Sequence, residues 1–410
     1  MYIDVTKSYN HHTFKKLFNR ARYILALFVF LFNFSKSEIV DLEKKCIWIL
    51  RDTLTSPEKI ERAFDHVVSA GYNIVFLQIR GRGYAFYEST LVPKNPRIID
   101  GFDPLQYSID IAKKNNVEIH VWFNTYILWS ARSAPENSKH IYHSKGEWTE
   151  ANKYGKMDYK INLKSPKIPN WEGVYLSPIH PEVNPYLNSL IQELIDNYTF
   201  QGIHFDYIRY QDEIYGYNKK GTDIFEELFS IDPYNIAKGI ISTRFGWSKE
   251  FVDSTQNMWT KFKQDAITSF LETVSNSVFE SGKKIELSAA VKPNLLIAKT
   301  RFFQDWELWL NNDILDFVVP MNYYSKLEDF NEDIQIMKYF INSKYREKIV
   351  MGLATYNQSA SDVADKILIS RMQGFKGISI FSYDAHQNNL DWFNPILHAI
   401  DYNNKELYEN

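Results

Sequence analysis

The 410-residue chain predicts an α/β fold, a (β/α)8 TIM barrel with long insertions after strands 3 and 4. Three observations point there. From Cys46 onward, apolar segments of strand length alternate with helical patterns, as expected of parallel strands joined by crossover helices. Eight such units fit the chain, which suits a barrel with insertions better than an open doubly wound sheet. Polar residues also recur just after the apolar segments, where the carboxyl ends of barrel strands would gather them on one face.

The elements follow in order. The first strand is 46–50, and Ser56-Pro57 opens a helix carrying Ile60, Phe64, Val67 and Val68 that stops at Ala70-Gly71. Strand two is 73–79, followed by Gly81-Arg82-Gly83, a turn that brings Arg80 and Arg82 toward the strand ends. Asp103-Pro104 starts a helix that leads to strand three, 117–124, whose period of two puts His120, Trp122 and Asn124 on the inward face. Residues 126–181, with Trp129, Trp148, Trp171 and Tyr175, are too long for an ordinary connection and read as a loop over a site. A helix over 182–197 precedes strand four within 201–210. Helical patterns at 223–229, 233–244 and 249–280 form the second insertion. Strands five to eight are 284–291, 315–324, 349–356 and 377–383, with a helix near 305–310.

Composition narrows the function. A net charge of −3 offers no basic field for nucleic acid, so no nucleic-acid partner is expected. The 27 Tyr, 28 Phe and 10 Trp suit a thick core and also supply flat faces on which sugar rings can stack. Lys15, Lys16, Arg20 and Arg22 precede an apolar run over 23–34 and small residues at Ser35 and Ser37. Residues 1–37 therefore read as a secretory signal, or an N-terminal anchor if uncleaved, which would be the chain's one membrane contact. The apolar run is shorter than the ~20 residues of a spanning helix. The barrel domain is expected over 41–402, in an exported protein, periplasmic or extracellular. Cys46 is the only cysteine, so an internal disulfide is excluded.

The polar strand-end residues supply the candidate chemistry. In strand four, His204 and Asp206 share the inward face, and Asp206 sits at the carboxyl end, which makes it the first catalytic candidate. His204 lies deeper, where a histidine is more often a hydrogen-bonded core residue than a substrate contact. No metal site or cofactor is expected: His11-His12 lies in the export segment, and His140 with His143 lacks an evident third ligand. Neither a nucleophile elbow nor a reactive-cysteine motif appears. Carboxylate-based hydrolysis of a glycosidic bond fits best.

The blocks Gly202-Ile203-His204-Phe205-Asp206-Tyr207-Ile208-Arg209-Tyr210, Gln78-Ile79-Arg80, Tyr87-Glu88-Ser89, Asp103-Pro104-Leu105, His120-Val121-Trp122-Phe123-Asn124, Gln304-Asp305-Trp306 and Pro320-Met321-Asn322-Tyr323 occur in this order. In them the chain resembles the glycosyl-hydrolase-like 10 family over most of its length after residue 45. The resemblance implies a TIM barrel and an exported bacterial glycosidase acting on cell-wall glycans such as peptide-free peptidoglycan, with Asp206 as the matching acid. Two departures sit beside the expected site: Gln211 stands where the family often has proline, and Asn124-Thr125 where it has asparagine-proline.

Two carboxyl groups commonly flank the bond a glycosidase breaks. Asp305 and Asp384 are the candidates for the second, although Asp305 equally suits a helix cap and Asp384 a rim-loop hydrogen bond; Glu88 and Asp52 stand behind them. In a substrate-assisted route, with an N-acetyl group as nucleophile, Tyr324 or Asn322 would orient that group. Arg80, Arg82, Tyr87, Asn124, His204, Arg209, Tyr210 and Lys292 are candidate sugar contacts, and Trp122, Tyr126 and Tyr356 candidate stacking rings. The expected partner is a polysaccharide or oligosaccharide. The alternative is a glycan-binding protein on a barrel that has lost catalysis.

Overall fold

The computed structural model describes residues 39–402; the expected export segment lies outside them. Eight parallel strands form the wall: β1 Lys44–Ile49, β2 Ile74–Gly81, β3 Glu118–Asn124, β4 Gly202–Asp206, β5 Glu286–Val291, β6 Phe317–Pro320, β7 Val350–Ala354 and β8 Gly377–Phe381. They pair in the order β7-β8-β1-β2-β3-β4-β5-β6. Bridges from Val318 to Ile349 and from Met321 to Gly352 join β6 to β7 and close the ring. The predicted barrel is the observed one. β6 is shorter than its apolar pattern, because just beyond it the Asn322 and Tyr323 amides turn back onto the Pro320 and Met321 carbonyls instead of a neighbouring strand.

A helix follows each strand on the outside: α1 Pro57–Ser69, α2 Pro104–Lys114, α3 Val183–Asn197, α4 Lys249–Ser281, α5 Trp306–Asn311, α6 Leu327–Phe340, α7 Ala360–Met372 and α8 Asn394–Asp401. Local chemistry fixes their starts. The Asp103 carboxylate accepts from the Leu105 and Gln106 amides ahead of α2, and Ser359 with Asp362 forms a capping box on α7. Between β3 and α3, Ile127–Trp129 pairs antiparallel with Val174–Tyr175, so the expected loop carries a small sheet of its own. The helix expected over 233–244 ends at Ala237, because Gly239 takes a left-handed conformation and the Asn235 carbonyl accepts from both Ile240 and Ile241.

Two apolar layers result. Outward strand residues pack on the helices, while Cys46, Trp48, Ile74, Phe76, Trp122, Phe317, Val319 and Val350 fill the barrel. His204 belongs to this interior. Its ring stacks on Phe76 at 4.0 Å, meets Trp48 edge-on at 4.5 Å, and its Nδ1 lies 2.8 Å from Ser288 Oγ. Burial, helped by the charge of His120, keeps the imidazole well below its usual pKa, so a neutral ring packs here.

Arg371 on α7 ties the ends of the described chain together. Only 2 % exposed, it donates to the carbonyls of Val40, Ala399 and Tyr402, each at 2.8 Å. Replacing it with Met strands these acceptors, and each buried unsatisfied group costs about 1–3 kcal/mol. Arg371→Met is expected to lower unfolding free energy by at least about 2 kcal/mol in chemical denaturation, with the barrel otherwise intact.

Candidate active site

A cavity of about 420 Å3 opens at the carboxyl ends of the strands, within the usual range for small-molecule sites. Asp206 lies in its floor, 8 % exposed. Trp122 Nε1 donates to Asp206 Oδ2 at 3.2 Å and the Tyr207 amide to Oδ1 at 2.7 Å. That second bond has a conformational cause. Tyr207 has φ +51°, a left-handed conformation costly for a non-glycine residue, and this turn starts where β4 ends. Burial raises the Asp206 pKa to about 6; the Tyr207 amide, Arg209 and Trp122 oppose the shift, and the charge of Glu172 adds to it.

Glu172 is the second acid of the cavity. Arg209, buried beneath it, presents Nη2 to both Glu172 oxygens at 3.0 Å, and Tyr175 donates its hydroxyl to the same carboxylate. The guanidinium lies between the rings of Tyr207 and Phe302, at 5.3 and 5.2 Å. The loop bearing Glu172 is pinned from below. Asp158 accepts from Trp171 Nε1 at 3.3 Å and from the Tyr175 amide at 3.1 Å, while Gln211 accepts from the Glu172 amide and donates to Gly173 O at 3.4 Å. Burial pushes the Asp158 carboxyl far above its usual range. Gln211, the departure from the family pattern noted above, thus connects the end of β4 to the second acid.

Trp48, Trp122, Tyr323, Tyr356 and Phe381 give the cavity aromatic walls, and Arg51, Arg82, Arg209 and Lys292 give it cations. Gly81 makes room for Arg51: a Cβ there would lie 2.6 Å from Arg51 Cδ. The Arg51 guanidinium meets Gln78 Oε1 at 2.9 Å, and Gln78 Nε2 reaches Asn124 Oδ1 at 3.4 Å. Lys292 Nζ stands 4.6 Å over the Phe302 ring, and burial together with the charge of Arg209 lowers its pKa to about 8.

Of the sequence-predicted residues, the cavity brings together Asp206, Arg82, Trp122, Asn124, Arg209, Lys292 and Tyr356. The others stand elsewhere. Asp305 caps α5 through the Leu308 amide and pairs with Lys299 at 2.9 Å. Asp384 holds the ends of β8 and β1 together, accepting from the Leu50 amide at 2.7 Å and Thr53 Oγ1 at 2.6 Å. Arg80 is turned out of the cavity by a β-bulge between Gln78 and Arg80, and donates to the Asn124 and Thr125 carbonyls under the end of β3. Tyr87 is buried against Tyr198, Tyr126 bonds Asn184 Oδ1 at 3.0 Å, and Tyr210 bonds the Lys263 carbonyl at 3.3 Å. His204 lies in the barrel core, Asn322 is buried with its Nδ2 on Phe330 O at 3.0 Å, and Tyr324 is exposed beside Lys366 rather than in the cavity. Asp52 and Glu88 pair with Arg97 and Lys94. Glu172 was missed because it lies in the insertion, far in sequence from the end of any barrel strand; its one signal was its place between Trp171 and Tyr175, in a segment already read as functional.

A closed parallel barrel whose polar site is built at the strand carboxyl ends, with two acids between stacking faces, is the class of scaffold on which many sugar-acting proteins are built. The chain belongs to the glycosyl hydrolase-like 10 family, whose model matches residues 43–371. It is 23 % identical over 273 residues to glycosyl hydrolase DigH of Escherichia coli K12, across 63 % of this chain and 56 % of that protein. To glycosyl hydrolase YngK of Bacillus subtilis it is 24 % identical over 331 residues, across 74 % and 58 % respectively. The chain thus spans little more than half the length of these curated relatives. The PgaB (BpsB) glycoside hydrolase domain from Bordetella bronchiseptica shares the fold with a TM-score of 0.66 at 12 % identity, over 88 % of this chain and 99 % of that one. The catalytic domain of β-amylase from Paenibacillus polymyxa does so with a TM-score of 0.55 at 10 % identity, over 87 % and 97 %.

The charges in the cavity fix the sign of one test. Asp206 is expected to titrate near pH 6, and Glu172→Gln to lower that value, because it removes a repelling charge and frees Arg209 to face Asp206. Carboxyl-carbon NMR of labelled protein reads both. A wild-type value near 4, or an upward move in the variant, contradicts this arrangement.

Proposed function

We propose that the protein is a glycoside hydrolase that cleaves a cell-wall-type polysaccharide, with Asp206 as the proton donor. The observation that carries this is the buried Asp206 carboxyl, with a pKa of about 6, in the floor of an aromatic-walled cavity. A carboxyl in that range keeps its proton up to about pH 6, well above an ordinary carboxylate, and can release it to a substrate. In this reading the Asp206 proton passes to the glycosidic oxygen as the bond to the anomeric carbon breaks. The carboxylate left behind is stabilised by the Tyr207 amide, Trp122 Nε1 and the charge of Arg209. Glu172, ion-paired with Arg209, supplies the second carboxylate and faces the positive charge that develops on the sugar. Water adds to the anomeric carbon, and a proton returns to Asp206.

Charge around the cavity supports a substrate with acidic substituents. Among the described residues, Arg51, Arg82 and Lys292 have no carboxylate in ion-pair contact; their charged ends meet Gln78 Oε1, Ser130 Oγ and the Phe302 ring. Three cations beside stacking rings suit a glycan that carries carboxylates, such as peptide-free peptidoglycan with its lactyl groups, better than a neutral chitin-like chain. The basic and then apolar N-terminal pattern supports action outside the cytoplasm.

The test is incubation of purified protein with peptide-free peptidoglycan strands and with chitin oligosaccharides, products identified by mass. Wild type is expected to shorten the carboxylate-bearing strands faster. Asp206→Asn is expected to lose about 10²–10⁴-fold in turnover while keeping its circular dichroism and its glycan binding. Cleavage at the wild-type rate by Asp206→Asn sinks the assignment. Binding without cleavage by wild type would instead make the barrel a glycan-binding module.

A further inference from the structure

At the opposite end of the barrel from Asp206, the first residues of three adjacent strands meet. Glu118 and His120 lie on β3, and Glu286 begins β5. His120 pairs in register with Gly202 of β4, and Gly202 with Glu286, so the three strands present one row. Glycine in the middle of that row is a spatial requirement. A Cβ at Gly202 would lie 2.2 Å from His120 Nδ1, so only glycine lets the imidazole lie across β4 toward Glu286.

The histidine is held there without a hydrogen bond. It is 0 % exposed, and neither ring nitrogen makes a hydrogen bond of full geometry; Nε2 has only longer ion-pair contacts. Buried polar atoms are rarely left so. Its Nε2 points between two carboxylates, 3.6 Å from Glu118 Oε2 and 3.9 Å from Glu286 Oε2. One ligand atom from each of the three residues falls within 4.8 Å of the others. The two nitrogen–oxygen separations are too long for direct hydrogen bonds but within a few tenths of an ångström of the roughly 3.3–3.6 Å that bonds of about 2.0–2.2 Å impose between two ligands of a tetrahedral zinc ion, and the two carboxylates would close the rest by side-chain rotation. A cation already stands beside the row: Lys44 Nζ, at the start of β1, lies 2.7 Å from Glu286 Oε2 and 4.7 Å over the Phe317 ring. Its side chain is 26 % exposed, so it can swing to solvent.

We propose that this barrel floor binds one divalent transition-metal ion, Zn²⁺ being the best fit, through His120 Nε2, Glu118 and Glu286, with water in the remaining position. One imidazole and two carboxylates make a neutral site around a divalent ion and suit a borderline metal; Mg²⁺ and Ca²⁺ favour sets made of oxygen alone. Lys44 takes the place of the ion when metal is absent. Bound metal would clasp β3 to β5 across β4. Lying at the amino ends of the strands, it stabilises the barrel and takes no part at Asp206.

The experiment uses the full chain, stripped with chelator and titrated with Zn²⁺ by calorimetry and with Co²⁺ by visible absorption. One ion per chain and an upward shift of the thermal midpoint are expected for wild type. Lys44→Met, which removes the competing ammonium, should bind more tightly. His120→Asn and Glu118→Gln should each weaken binding by at least about tenfold and abolish the thermal shift. Glu118 is half exposed, so its variant tests the site even if His120→Asn fails to fold. Absence of one-to-one binding in both wild type and Lys44→Met overturns the proposal, as does binding undiminished in Glu118→Gln.

Discussion

The cleft depends on the burial of one carboxyl group. Asp206 sits where β4 stops, and its surroundings withhold water without supplying full compensation: two N–H donors and a nearby guanidinium face it, but a second carboxylate repels it. Because the folded pKa lies above the ordinary 3.8, the folded chain holds this proton more tightly than the unfolded one. Stability from this group is therefore present below pH 3.8 and lost as pH rises through 6, to the extent of about 3 kcal/mol at neutrality. Placing a destabilising, proton-holding acid in a concave, ring-lined floor is the usual arrangement of an acid that works on a substrate.

The rest of the site is arranged around that group. Tyr207 accepts a left-handed backbone so that its amide faces Asp206, and Trp122 arrives from the neighbouring strand in register. Arg209 serves both acids, bonded to Glu172 and electrostatically coupled to Asp206. The insertion after β3 is what brings Glu172 over the barrel mouth. Its position rests on Asp158 and Gln211, two residues that touch the loop rather than the cavity, so geometry at the second acid is set from the layer beneath it.

The barrel was legible in the sequence because its signals are local. Apolar runs bounded by turns marked all eight strands, and a period of two correctly placed Trp122, Asn124, His204 and Asp206 on the inner face. Parity failed where the chain leaves strand geometry. The bulge in β2 re-aimed Arg80, and the strand ends at Asn124 and Asp206 released Tyr126 and Tyr210 into the helix layer. Strand-end position also overstated Asp384, while Asp305, read as either a cleft acid or a helix cap, is the cap; both carboxylates satisfy backbone amides. Glu172 was out of reach for a different reason: a loop acid becomes a site residue only through long-range contacts, here to Arg209 and Gln211, which no local pattern encodes.

The most direct test of the central claim is the pH dependence of kcat/KM on peptide-free peptidoglycan strands. With Asp206 as the proton donor of the free protein, the rate should fall about tenfold per pH unit above roughly pH 6. A rate that stays level or rises between pH 6 and pH 8 would contradict it.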